Sequence, residues 1–480
     1  MLKSRCKIFT MLLCLSLLFE LSPNAIAQPA GGLRAGAATS NITPPLGELV
    51  VGGFSPLPAD EVHDELHARA IVLDDGKTKI AFVICDNVGI PREVFDNAKQ
   101  QIAESTGIPI ENQLMSATHT HSATSARSSN AMVYETKLNE YQRFLANRIA
   151  DSVRIAYKRL EPAKVGWGSF QEPSQLFNRR WYVVEEADRR NPFGGVDHVR
   201  MNPGASGLIR PAGPVDPQVF FFSVQSANGR PIAVLANYSL HYVGGVPARS
   251  ISADYFAVFA HHLEKLLGVE GSEKPFVGIL TNGTSGDVNN INFLDRSARY
   301  EPYKKMQAVG QLIASRVHES LKNIAYHDQL KLAAKSEELL LKVRKPDEAM
   351  LAYIRQVLAK PKDEKPFHVH EKTYAERVQQ LAESPDEVSV LLQTIRIGSL
   401  GIAAIPFEVF TEIGLEIKEK SPILPCFTIE LANGSYGYLP TPSQHDLGGY
   451  ETWMGTNKVE KQASVKIVSK ILDLFQNVRE

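Results

Sequence analysis

The apolar positions of this chain follow two rhythms. Short continuous apolar runs over residues 68–74 and 79–86 read as buried strands, while apolar residues recurring every three to four positions over 93–106 and 139–159 read as one face of a helix. The same exchange returns further on, with strands predicted over 219–224, 232–238 and 276–281 and helices over 254–267 and 303–322. Strands interleaved with helices build layered α/β domains, because the two faces of each sheet need apolar cover. Residues 343–388 differ: they are rich in Lys and Glu, keep a helical period, and are broken at Lys360-Pro361-Lys362 and Ser384-Pro385. They read as a solvated helical hairpin inserted between strands, the other reading being a lid over a site. Strands over 388–397 and 400–405 follow, and no repeat or low-complexity tract is found. The expected architecture is α/β, a layered mixed-sheet domain with a helical insertion.

The first residues break this pattern. Lys3, Arg5 and Lys7 precede the apolar run 9–19, and Ala25-Ile26-Ala27 supplies small residues before a cleavage point. This predicts a cleaved signal peptide over 1–27 and a secreted or periplasmic protein occupying 28–480; the run is shorter than the roughly 20 apolar residues a membrane span needs. Lys and Arg number 52 against 53 Asp and Glu, so no general cationic field exists to hold nucleic acid. Of the four cysteines, Cys6 and Cys14 fall in the signal, and Cys85 and Cys426 are too far apart in sequence to form a CxxC metal site. They form either one bridge or two buried thiols. Any metal is therefore left to His, Asp, Glu or Tyr.

Candidate chemistry gathers where apolar runs end. In Ser116-Ala117-Thr118-His119-Thr120-His121-Ser122 the two histidines, two residues apart on extended backbone, share a face. Paired imidazoles at a strand end are a common way to hold zinc, the alternative being a satisfied surface pair. His241 closes the run 233–240 ahead of Gly244-Gly245. Asp254 either caps the next helix or orients a ligating histidine. The polar loop 281–290, with Asp287 and Asn289, directly follows a predicted strand. Glu408 stands among apolar neighbours, where an unpaired charge is costly and a metal would offset the cost. Tyr438 and Tyr450 lie among glycines near the end of the chain.

These segments together resemble the neutral/alkaline ceramidases, zinc amidases that cleave the amide of N-acylsphingosine. The resemblance runs from Gly36 to Tyr450 and includes an opening like the family's G-x-x-x-x-D-I-T-P, with Asn41 in place of Asp, a glycine turn at Gly52-Gly53, and His63–Ala70 as a strand segment. It implies Zn²⁺ held by His119, His241, Glu408 and Tyr438, with His121 beside the metal. It also implies Arg179 on the substrate side, Tyr450 bonding the oxyanion and Gly53 giving the substrate backbone access. Where characterised members carry a serine implicated in catalysis, this chain has Asn289, which favours water as the nucleophile. The general base is then His121 or Asp287. Zinc would lower the pKa of bound water from about 15.7 toward ~7. The family's C-terminal immunoglobulin-like domain has no counterpart after Tyr450, which leaves the substrate open.

The expected activity is zinc-dependent hydrolysis of a carboxamide in a small-molecule or lipid N-acyl substrate, with peripheral membrane-surface contact left open. The alternatives are an ester, lactone or short N-acyl substrate for the same site, or an exported binding protein without catalysis.

Overall fold

The computed structural model describes residues 32–53, 55–361 and 363–479. The expected signal peptide lies outside the described residues. Two sheets stacked face to face form the centre of the molecule. The first is built from β1 (Arg34–Asn41), β2 (His67–Asp74), β3 (Lys79–Cys85), β4 (Gln113–Ala117), β5 (Glu161–Gln171), β6 (Gln218–Ser226), β7 (Pro231–Tyr238) and β8 (Val277–Asn282), in the spatial order β8-β7-β6-β5-β1-β2-β3-β4. The second has β9 (Leu332–Lys342), β10 (Glu387–Ile397), β11 (Leu400–Ile405) and β12 (Cys426–Glu430), in chain order. The two α/β stretches legible in the sequence thus merge into one eight-stranded sheet.

Alternation along the strands sorts the core into layers. In β3, Phe82 faces the second sheet with Phe222, Ile402 and Phe427, while Val83 and Cys85 face the helices α1 (Arg92–Thr106) and α2 (Glu140–Lys158). Helices α3 (Asp254–Leu266) and α4 (Lys304–Ser320) cover the other half of that face. The outer face of the second sheet is covered by α5 (Glu348–Ala359), α6 (Glu371–Glu383), α7 (Thr411–Lys420) and a last helix, Ala463–Arg479. Each large apolar side chain buried this way contributes about 1.5–3 kcal/mol, so the helix–sheet–sheet–helix stack needs no cross-link. Cys85 and Cys426 are both buried and free.

Three parallel pairs place the site. Strands β3 and β4 are joined through α1, β7 and β8 through α3, and β11 and β12 through α7, because parallel neighbours require a crossover. All other neighbours in the two sheets pair antiparallel. The sheets also meet at one edge, where the end of β4 bonds the segment after β12: Asn433 N donates to Met115 O at 2.7 Å and Ala117 N to Leu431 O at 3.3 Å.

Two long strands went unpredicted. Strand β5 carries Gly166 and Gly168, and β9, in Leu332–Lys342, is made of Ala, Glu, Lys and Leu, which favour helix. An eleven-pair antiparallel register with β10 overrides that preference. The insertion, read as a solvated hairpin, is amphipathic: Ile354, Val357, Ala375, Val378 and Leu381 are buried against Leu341 and Val390. Among the described residues no helix is long and apolar enough to cross a membrane.

Candidate functional site

His119 and His241 occupy corresponding places, just beyond the carboxyl ends of β4 and β7. His119 adopts φ +63°, uncommon for a residue with a side chain, and its N–H donates to Asn87 O at 3.0 Å. This turn swings the imidazole into the space between the two sheets. Its Nδ1 lies 2.6 Å from Val88 O. A carbonyl can only accept, so Nδ1 carries a hydrogen and Nε2 is the atom turned toward Glu408. His241 repeats the device with Nδ1 3.1 Å from Ser285 O. Burial first, and then His119, push the His241 imidazolium well below the usual range, so His241 is neutral.

Glu408, beyond β11 of the other sheet, completes the convergence. Its Oε2 lies 3.4 Å from His119 Nε2 and 3.8 Å from His241 Nε2. Burial opposes its charge, but His119 and Arg127 outweigh burial and hold the carboxyl well below the usual carboxylate range. Glu408 Oε2 and His241 Nε2 are buried without a hydrogen-bond partner among the described residues. Ligands of a tetrahedral zinc with bonds of about 2.0–2.2 Å stand about 3.3–3.6 Å apart; the 3.4 Å separation from His119 lies in that range and the 3.8 Å from His241 just above it, so the orphaned atoms could hold a metal. The ring nitrogens of His119, His121 and His241 also form a group within 4.8 Å of one another.

Around this centre, Tyr438 Oη accepts from Arg179 Nη2 at 2.9 Å. Arg179 is fixed by Glu451 Oε1 at 2.8 Å and Gly286 O at 2.8 Å. Tyr450 packs edge-on to Tyr438 with ring centroids 5.8 Å apart. His121 stacks on Tyr242 at 3.8 Å and places Nε2 3.0 Å from His119 Nε2. Burial, followed by His119, pushes His121 well below the usual imidazole range.

A cavity of about 530 Å³ opens in front, lined by His119, His121, Glu408, Tyr438, Tyr450, Arg179 and Gly53 among others. Gly53 has open space where a Cβ would stand. The close approach belongs to Gly52, where a Cβ would lie 1.9 Å from His121 O.

Two expected site residues stand elsewhere. Asp287 is fully buried behind the cavity and accepts from Asn178 Nδ2 at 2.8 Å and from Thr411 N and Oγ1, both at 2.9 Å. It ties the loop to the start of α7 and is absent from the cavity lining. Asn289 donates to Asn202 Oδ1 at 2.6 Å and is likewise outside the cavity wall. Asp254 does not touch His241: as the first residue of its helix it accepts from the first-turn Tyr255 N at 2.6 Å, and it accepts from Gly244 N at 2.7 Å, which pins the loop after His241.

Sequence reasoning missed Glu430. This buried carboxyl takes hydrogen bonds from the Ser285 hydroxyl, from Ser285 N at 3.2 Å and from Val409 N at 2.7 Å. It therefore joins the carbonyl that orients His241 to the residue after Glu408, and burial pushes it up to about 8. Arg127, Arg377, Lys458 and Tyr242, also missed, line the cavity. Tyr242 directly follows His241; the three cations carry no motif.

A stacked mixed α/β scaffold with a histidine–carboxylate cluster at the carboxyl ends of its parallel strands defines a class of protein with a metal-type polar centre facing a cavity. Within that class, residues 33–296 match the sequence profile described as neutral/alkaline non-lysosomal ceramidase, N-terminal, and the chain belongs to this family. It is 26% identical over 268 residues to neutral ceramidase B of Dictyostelium discoideum, a match over 53% of this chain and 35% of that protein. The match thus spans about a third of the relative's length. The fold matches the crystal structure of neutral ceramidase from Pseudomonas aeruginosa with a TM-score of 0.67 at 19% identity, and a ceramidase complexed with C2 with 0.69 at 16%. Both comparisons cover 94% of this chain and 75% of the other.

Proposed function

We propose that the chain is an exported, zinc-dependent hydrolase of N-acyl carboxamides. One observation carries the reading: the Nε2 atoms of His119 and His241 converge with the orphaned Glu408 Oε2, at 3.4 and 3.8 Å, on the wall of an open cavity. His119, His241, Glu408 and Tyr438 would hold the metal. When bound, zinc would supply a Lewis acid that ionises water near neutral pH and polarises a carbonyl.

The chain's own groups supply the rest. His121, neutral at pH 7 and within the cavity, accepts the proton of the attacking water on its imidazole and returns it to the leaving amine nitrogen. The Tyr450 hydroxyl, kept protonated because burial pushes it up to about 12, donates to the oxygen of the tetrahedral centre. In other hydrolases one such donor is worth about 3–4 kcal/mol. Arg179, anchored by Glu451, holds the Tyr438 hydroxyl in place. Export rests on the pattern of residues 1–27. The relatives named as ceramidases and the apolar lining by Val51, Val88 and Met201 support a lipid-like acyl chain.

Elemental analysis of the purified chain, paired with a hydrolysis panel of amides and matched esters graded by acyl length, tests this. One zinc per chain and zinc-dependent release of amine are expected. A zinc-free chain with full turnover, or zinc with ester cleavage alone, would overturn it.

A further inference from the structure

Away from the histidines the same cavity has a second pole. Four cationic side chains line it, Arg127, Arg179, Arg377 and Lys458, against the single carboxylate of Glu408. Arg179 is matched by Glu451. Arg127 and Lys458 are less completely balanced. Arg127 gives Nη2 to Glu408 Oε1 and Val88 O, both at 3.4 Å, and Nε to Ser435 Oγ at 3.0 Å, leaving Nη1 uncommitted among the described residues. Lys458 is placed by its backbone, whose carbonyl accepts from Arg344 N at 2.8 Å, and its ammonium has no hydrogen bond or ion pair to a described residue.

Arg377 reaches the cavity from α6 of the insertion. Its guanidinium lies over the Tyr374 ring at 4.9 Å, and its Cβ packs on Gly455, where an added Cβ would stand only 2.7 Å away. Gly455 also has φ +100°, so the chain bends there in a form that leaves room for the arginine. Burial first, then Arg127 and Arg377, push the Lys458 ammonium down to about 8. Gathering like charges in a shielded cavity costs stability, and such clusters are characteristic of sites where a ligand supplies the missing charge.

We propose that Lys458, Arg127 and Arg377 form an anion-recognition subsite beside the metal centre, and that the substrate is an N-acyl compound carrying a carboxylate or phosphate group. The inference rests on the N-acyl hydrolase reading for the reaction and on the cationic wall for the charge. Ammonium and guanidinium hydrogens give carboxylate or phosphate oxygens short, charge-assisted bonds, while Val51, Val88 and Met201 face the acyl carbons.

The test compares two matched pairs on the full zinc-loaded chain: N-octanoylglycine against N-octanoylglycinamide, and the phosphate ester of N-octanoylethanolamine against the free alcohol. Preference is read as the ratio of kcat/KM where cleavage occurs, and of Kd by calorimetry where it does not. At least one pair should show a preference of tenfold or more for the anion. Lys458→Met and Arg377→Met should each reduce it to threefold or less. Ratios near one in both pairs would overturn the proposal without any variant. So would a preference unchanged by both substitutions, since the metal alone would then hold the anion. An anion preference in Kd with no amide cleavage would uphold the subsite and overturn the assigned reaction.

Discussion

The two poles of the cavity are built by different means. At the proposed metal pole, His119, His241 and Glu408 follow directly on buried strands, and their positions are fixed by backbone: Val88 O and Ser285 O each accept from the facing Nδ1–H, and Glu430 ties the flanking segments together. At the cationic pole, Arg127 comes from a loop, Arg377 from an inserted helix and Lys458 from the segment before the last helix. Aromatic stacking and a glycine cradle seat Arg377 there. A centre that must match a metal to within tenths of an ångström belongs on strand ends. A diffuse field that recognises charge tolerates elements that shift.

Breaking the metal pole should have the largest effect. His119→Ala or His241→Ala is expected to remove zinc retention and at least 10³-fold of turnover, with near-native secondary structure by circular dichroism. A zinc-retaining, active variant would show that the strand ends are not the metal site. Next, Gly455→Ala places a side chain on a left-handed turn and against Arg377. It should lower anion preference about tenfold, the scale of one lost charged contact, while zinc content stays at the wild-type level. Equal loss of both would argue against two separable poles.

Lys458→Met sharpens the comparison through stability. The folded ammonium titrates near 8 against 10.5 for an ordinary lysine. Between those values the unfolded chain binds more protons, so Lys458 weakens the fold below about pH 8 and ceases to do so as pH rises toward 10.5. The methionine variant should be more stable at pH 7 by roughly 1–3 kcal/mol, an advantage that disappears near pH 10.5. Urea melts at the two pH values measure it; a variant less stable at pH 7 would show that Lys458 serves the fold. Smallest is Asn289→Ser. Because Asn289 bonds Asn202 outside the cavity wall, restoring the family's serine should change kcat/KM by only about twofold, the low end of what one hydrogen bond is worth. A tenfold gain would return the serine to the reaction.

The same contrast explains what could be read in advance. Strands such as β3 and β11 are continuous apolar runs, and the histidines and Glu408 interrupt or end such runs, so both were legible. Strand β9 was hidden because its residues favour helix and only its register with β10 decides otherwise. Asp287 misled because a polar loop after a strand looks the same whether its carboxylate faces a ligand or, as here, Thr411 and Asn178. Arg127 and Arg377 lie 250 positions apart and Arg377 and Lys458 lie 81 apart, and they meet only through packing of the insertion, which no local pattern records.

The wide separation of residues 119, 241 and 408 along the chain also bears on synthesis. With two corners of the metal centre from the first sheet and one from the second, no growing chain short of β11 possesses all three. Contacts this distant in sequence form late and slowly. On the proposed reading, metal capture would therefore act as a completion check: a truncated or half-folded copy would bind the ion poorly, and only a finished molecule with both sheets docked would become competent.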